Sequence, residues 1–127
     1  MTDAFVTLGV ADFPKVIDFY SQFLNQEPQR YVPNVYGEFR FPGGLRLGIF
    51  QPKVQHSSEF SNSDRSGMSL CLEVEDLESA IAHLAALGYP PPGEITTASH
   101  GREIYAYDPA GNRLILHQSV SSSDKLT

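Results

Sequence analysis

Five residues in the second half of the sequence carry chemically useful groups at strand-like spacing. Glu73 stands in SLCLEV (69–74), Tyr105 and Tyr107 in EIYAY (103–107), and Arg113 and His117 in RLILHQ (113–118). The first half offers Arg46 and Phe50 in RLGIF (46–50), with Glu38 and Arg40 just upstream. Alternate side chains of a strand share a face. These groups therefore oppose an apolar set (Leu45, Leu47 and Ile49, Leu70, Leu72 and Val74, Leu114 and Leu116) that must be packed away. On such a face an arginine can clamp a carboxylate or phosphate through two hydrogen bonds. Aromatic rings can cover a flat or apolar ligand, and His117 can change charge near neutral pH. An apolar wall with a few placed polar groups is what a small-molecule site uses. Cys71 shares the face. If the strands bring it beside His117, a thiolate–imidazole pair becomes a nucleophile. The plainer alternatives are a sheet face that is merely wet and arginines paired internally with Glu38, Glu73 or Glu103. His56, His83 and His100 fall in loop-like or helix-edge positions and read as solvated.

The elements that must position these groups occur twice. FVTLGVADFPKVIDFYSQFLN (5–25) matches SLCLEVEDLESAIAHLAALGY (69–89), with Leu8, Val10, Asp12 and Ile17 meeting Leu72, Val74, Asp76 and Ile81. In each copy a short alternating run ends at an aspartate and a helical pattern begins. Asp12 and Asp76 are natural N-caps, whose carboxylates accept unpaired first-turn N–H groups. Pro14 falls in the first turn, where it removes no helical bond. Asn25 and Gly88 suit the C-terminal ends. Apolar residues recur at helical spacing from Phe13 to Leu24 and from Leu77 to Leu87. Strand candidates follow at 29–32, 35–41 and 45–51, and again at 94–97, 103–107 and 113–118. RFPGGLRLGIFQ (40–51) and YDPAGNRLILHQ (107–118) then share their proline, glycine, Arg-Leu and glutamine positions. Each half reads strand–helix–strand–strand–strand, and the repeat is the strongest signal in the chain.

This paired plan, VADFPKVIDFY and VEDLESAIAHL each after a strand, with the DPAGNRLIL ending, resembles the vicinal oxygen chelate superfamily. That group includes glyoxalase I, extradiol dioxygenases, fosfomycin-resistance enzymes and bleomycin-binding proteins. The resemblance covers residues 4–118. It implies an α+β fold of two tandem βαβββ modules, a curved mixed sheet around a ligand cleft. The modules would be 1–53 and 67–118, joined by a linker at 54–66 within a single domain, 1–118. Metal-dependent members place His, Gln or Glu ligands at two positions per module. Carried over, those positions are Phe5, Gly48, Ser69 and Ile115. Three have no side-chain donor and serine is a poor one, so the usual metal, and any cofactor, is expected to be absent. The readings that follow are a metal-independent binder of a small organic molecule, akin to the bleomycin-resistance branch, or an enzyme of glyoxalase, lyase or dioxygenase type. The enzyme would use acid–base chemistry from His117 and Glu73, or an ion displaced toward them and Glu38. A third is an interaction module with a vestigial cleft. The missing ligands favour binding, and the family's habits imply a homodimer.

The bulk properties are consistent with these readings. The net charge of −6 argues against nucleic acid or an anionic membrane as partner. No run is long enough to span a bilayer, and the N-terminus lacks the pattern of a signal peptide. One cysteine excludes an internal disulfide and suits a cytoplasmic setting. PKVQHSSEFSNSDRSG (52–67) is polar and serine-rich and is expected to be mobile, as is the tail at 119–127.

Overall fold

Each half of the chain builds one four-stranded sheet backed by one helix. The computed structural model describes residues 1–61 and 66–120, and the chain divides into two compact units, Met1–Ser63 and Asp64–Thr127. The first contains β1 (Val6–Gly9), α1 (Phe13–Leu24), β2 (Gln29–Val32), β3 (Tyr36–Arg40) and β4 (Arg46–Phe50). The second contains β5 (Leu70–Glu73), α2 (Leu77–Ala86), β6 (Thr96–Ala98), β7 (Gly101–Tyr107) and β8 (Arg113–Ser119). The sheets run β1-β4-β3-β2 and β5-β8-β7-β6. In both, the opening strand lies parallel to the last one and the other pairings are antiparallel. The α+β class and the paired βαβββ plan are thus as the repeat implies.

The helices form where the caps place them. Asp12 accepts from the Lys15 N–H at 3.3 Å. The chain leaves α1 through Asn25 in the left-handed region, φ 51°. Asp76 accepts from both the Ser79 N–H (3.1 Å) and its hydroxyl (2.8 Å). α1 buries Phe13, Val16, Ile17, Phe19 and Tyr20, and the first sheet buries Phe39, Leu47 and Ile49. Ile17 lies close over Gly37, where an added Cβ would stand 2.8 Å from its Cδ1. α2 buries only Leu77 and Leu84, and the second sheet buries Ile104, Ala106, Leu114 and Leu116. A polar clamp supplements this smaller apolar contact. The Gln118 side-chain oxygen Oε1 accepts from the Leu77 N–H (2.8 Å) and from Arg102 (3.1 Å), and Arg102 forms a two-point pair with Glu78 (2.5 and 2.8 Å).

Three expectations need correction. Leu45 does not join the apolar set. β4 starts at Arg46, and Leu45 ends the Gly43–Gly44 turn with 41% of its surface exposed. The segment expected to be mobile is ordered in its first part as a 3₁₀ helix, Val54–Phe60. Phe60 supplies the reason: its ring meets Phe50 edge-on at 5.1 Å and covers Gly9. Residues 62–65 of that segment lie outside the described residues. The expected tail also begins too early, because Ser119 completes β8 and the Val120 N–H bonds the His100 carbonyl. Residues 121–127 lie outside the described residues. Among the described residues no helix is long and apolar enough to cross a membrane.

Candidate functional site

Register sets the site face of the second unit. β8 pairs with β5 and β7 so that three cross-strand rows share the face opposite the Leu114–Leu116 core. They are Arg113–Tyr107, with Ser69 bonded to Arg113 at its end, Cys71–Ile115–Tyr105 and Glu73–His117–Glu103. Five of the sequence-derived candidates, Glu73, Tyr105, Tyr107, Arg113 and His117, therefore stand on one sheet face. The third row extends into a proton-bonding chain. The Glu73 carboxylate lies 2.7 Å from His117 Nδ1, and His117 Nε2 lies 2.9 Å from His100 Nδ1. The two imidazoles are nearly parallel, 20° apart with centroids at 5.1 Å. Partial burial opposes ionisation of Glu73, but the bonds from His117 and the Ser119 N–H outweigh it and hold its carboxyl below the ordinary value. Such a chain fixes which nitrogen of His117 faces the carboxylate and turns the other toward His100.

Cys71 does not join that chain. Its partner in the parallel register is Ile115, while His117 is matched with Glu73. Burial, followed by the charges of Glu103 and Glu73, raises the Cys71 pKa above its usual value. Both the register and this shift disfavour a thiolate–imidazole pair, so the condition set for a Cys71–His117 nucleophile is not met. Arg113 is held by other means: Nε donates to Ser69 Oγ (2.7 Å) and Nη2 to the Ser66 carbonyl (2.7 Å). Among the described residues it has no carboxylate partner, so its charge is positioned by neutral acceptors.

The first unit repeats the face with different contents. Tyr36, Glu38 and Arg40 of β3 stand opposite Phe50, Gly48 and Arg46 of β4. Because Gly48 has no side chain, the Tyr36 phenol lies across it and donates to Glu38 Oε2 at 2.8 Å. A Cβ at position 48 would meet Tyr36 Oη at 2.5 Å. Burial first, then the Glu38 bond and charge, raises the Tyr36 pKa, which keeps it a donor. Arg46 pairs with Asp3, lies 3.8 Å from Glu38, and covers the Phe5 ring at 4.4 Å from its centroid. The internal ion pair weighed for Arg46 is thus present. Phe50 turns toward Phe60 and lines an apolar cavity of about 610 Å³ with Val35, Tyr36 and His56.

The four positions at which the family resemblance implies metal ligands have other roles here. Phe5 is an arginine's stacking partner, and the space at Gly48 belongs to Tyr36. Ser69 is engaged by Arg113, and Ile115 is aliphatic. Among the described residues no group of three or more His, Cys, Asp or Glu is arranged to hold an ion elsewhere.

Two participants escaped the sequence reading. His100 sits in the two-residue turn between β6 and β7, where no periodicity points to it. The pairing of Ala98 with Gly101 and of Gly101 with Ser119 is what carries it to the end of β8. Tyr36 was within reach, since it shares parity with Glu38 and Arg40.

Two βαβββ modules of this strand order define a class of paired-module α+β proteins. A family model described as Glyoxalase/Bleomycin resistance protein/Dioxygenase superfamily matches residues 4–116, and the chain belongs to that superfamily. Among similar solved structures is a glyoxalase/bleomycin resistance protein of Catenulispora acidiphila, with TM-score 0.70 and 21% identity over 94% of this chain and 100% of that one. A protein of Agrobacterium tumefaciens has TM-score 0.76 and 23% identity, covering 95% and 100%. A variant of the fosfomycin resistance protein FosX of Listeria monocytogenes, solved with Mn(II) and 1S,2S-dihydroxypropylphosphonic acid, has TM-score 0.74 and 20% identity, covering 100% and 97%. At these identities the likeness shows the shared fold. No curated protein matches the sequence significantly.

Proposed function

We propose that this protein binds a small organic molecule on its site faces without the metal that relatives such as FosX hold. The observation that carries this reading is the reuse of the metal positions: Tyr36 fills the space at Gly48, and Arg113 engages Ser69. Arg113, positioned by neutral acceptors, suits an anionic group, and Tyr105, 51% exposed, suits an apolar body beside it. The test joins elemental analysis of protein purified without chelators to a thermal-shift screen of metabolites. Stoichiometric zinc, nickel, manganese or iron would overturn the metal-free part. For a ligand from the screen, Arg113→Ala should weaken binding by roughly 1–3 kcal/mol. Unchanged affinity in both Arg113→Ala and His117→Ala would overturn the assignment of the contacts.

The Glu73–His117–His100 chain favours a second reading, an acid–base enzyme in which His117 exchanges a proton with the bound molecule by way of His100. Under it, His117→Gln abolishes turnover of a screened ligand while leaving its binding, whereas under the first reading no ligand is consumed. Two further elements belong to the proposal. A homodimer is supported by the exposed edge strand β2, where Tyr31 and Val32 are 46% and 50% exposed. Sedimentation showing only 14.0-kDa particles at micromolar concentration would remove it. A cytoplasmic setting is supported by the single unpaired cysteine.

A further inference from the structure

The first unit contains a buried acceptor that no hydrogen bond among the described residues uses. Glu38 is 1% exposed, and its Oε2 takes the Tyr36 hydroxyl. Among the described residues its Oε1 has no hydrogen-bond partner, only the ion-pair contact of Arg30 Nε at 3.7 Å. A buried carboxylate oxygen without a donor is costly and is rarely left so. Glu38 lines a polar cavity of about 640 Å³ whose charged lining comprises Asp3, Arg30, Glu38, Arg40 and Arg46. Three guanidiniums against two carboxylates leave that lining net positive. Asp3 is committed to Arg46, and among the described residues the Arg40 guanidinium has no partner, since its contacts with Gln26 run through the backbone. Arg40 and Glu38 are two residues apart on one strand and so share the face. Arg30 is brought in by the irregular register of β2, where its φ of 50° breaks the pairing between Gln29 and Val32.

From this juxtaposition we infer that the Glu38 cavity takes a hydroxyl-bearing organic anion, a hydroxy acid, with its hydroxyl donating to Glu38 Oε1 and its anionic group against Arg40. A second cation, such as an ammonium, is disfavoured beside Arg30 and Arg46, whereas a neutral hydroxyl satisfies the acceptor without adding charge. The inference rests on the small-molecule reading above and names the ligand's chemistry at one of its faces.

Succinate and malate test it, because they differ by a single hydroxyl. Titrated by isothermal calorimetry or amide chemical shifts, malate should bind about tenfold or more tighter than succinate, the value of one hydrogen bond to a charged acceptor. Glu38→Gln should bring the two within about threefold of each other. Arg40→Ala, at an exposed position that the fold tolerates, should weaken both by about tenfold. Equal affinity of the wild-type protein for the two acids, or no binding of either at 20 mM, would overturn the inference, with no variant needed. Discrimination that survives in Glu38→Gln would do the same. If the metabolite screen yields a ligand while malate fails, only this inference falls. If neither yields one, the small-molecule reading falls with it.

Discussion

The two helices do the same job by different means. α1 presses five buried side chains, three of them aromatic, onto its sheet. α2 contributes two leucines and is tied down by Gln118, Arg102 and Glu78. Gln51 holds the repeat position that corresponds to Gln118, yet it is exposed and lines the apolar cavity of its own unit. A repeated residue therefore need not keep its task. The module needs a helix held to its sheet, and apolar area or a polar clamp can each supply the attachment. The site faces diverge in the same way. The first buries a carboxylate under a tyrosine laid across a glycine, and the second spreads a carboxylate–imidazole–imidazole chain along its strands.

The sharpest way to break this comparison is to remove the first buried residue of each helix. Phe13 and Leu77 both follow the capping aspartate, and both are fully buried. Phe13→Ala should cost about 3–5 kcal/mol and Leu77→Ala about 2–5 kcal/mol in urea-unfolding free energy. Within those ranges Phe13→Ala should be the larger, because its ring also stacks on Tyr31 at 6.1 Å while the clamp still holds α2. A larger loss in Leu77→Ala would mean that the clamp adds little.

The turns before β4 and β8 sharpen the contrast. In the second unit Asp108 Oδ1 accepts from the Ala110 and Asn112 N–H groups, both at 2.9 Å, and Oδ2 accepts from the Asn112 side chain. In the first unit Phe41 stands at that position, and the turn relies on Gly43 and Gly44 at φ of 88° and 97°. Asp108→Ala should cost roughly 1.5–3 kcal/mol, since it strips a buried turn of its charged acceptor. Gly44→Ala should cost about 1–2 kcal/mol by forcing a side chain into the left-handed region. Chemical denaturation of both variants checks the order, and equal losses would erase the distinction.

The alternation of apolar and polar residues made much of this legible. Parity alone placed Arg113, His117 and Glu73 on one face, because a strand buried on one side cannot slip by a residue without exposing its core. Caps at Asp12 and Asp76 were readable for an equally local reason. Register between strands was not. Cys71 and His117 share a face, yet the parallel pairing sets His117 beside Glu73, and no single-strand pattern encodes that offset. His100 was hidden because a turn residue acquires its neighbours only when β6, β7 and β8 come together. Leu45 was misplaced because its apolar character argued for the strand while the two glycines before it held it in the turn. Phe60 was lost in a serine-rich stretch whose composition outweighed its one ring.

The smallest expected effect isolates the clamp. The side-chain hydrogen bonds from Arg102 pull the Glu78 pKa from 4.5 down to about 2. A depressed carboxyl favours the folded state at pH above its unfolded value and loses that contribution as pH falls through the folded one. The pair is exposed and screened by salt, so Glu78→Gln should lower the melting temperature at pH 7 by a few degrees at most. The gap between wild type and variant should hold down to about pH 4.5, close progressively toward pH 2, and narrow in high salt at pH 7. No such pair is needed at α1, whose first turn has no acidic residue. A melting-temperature gap that stays constant from pH 5 to pH 2 would show that Glu78 acts through packing rather than charge. α2 would then be held by contact area and the Gln118 bonds, with no share from the Glu78 charge.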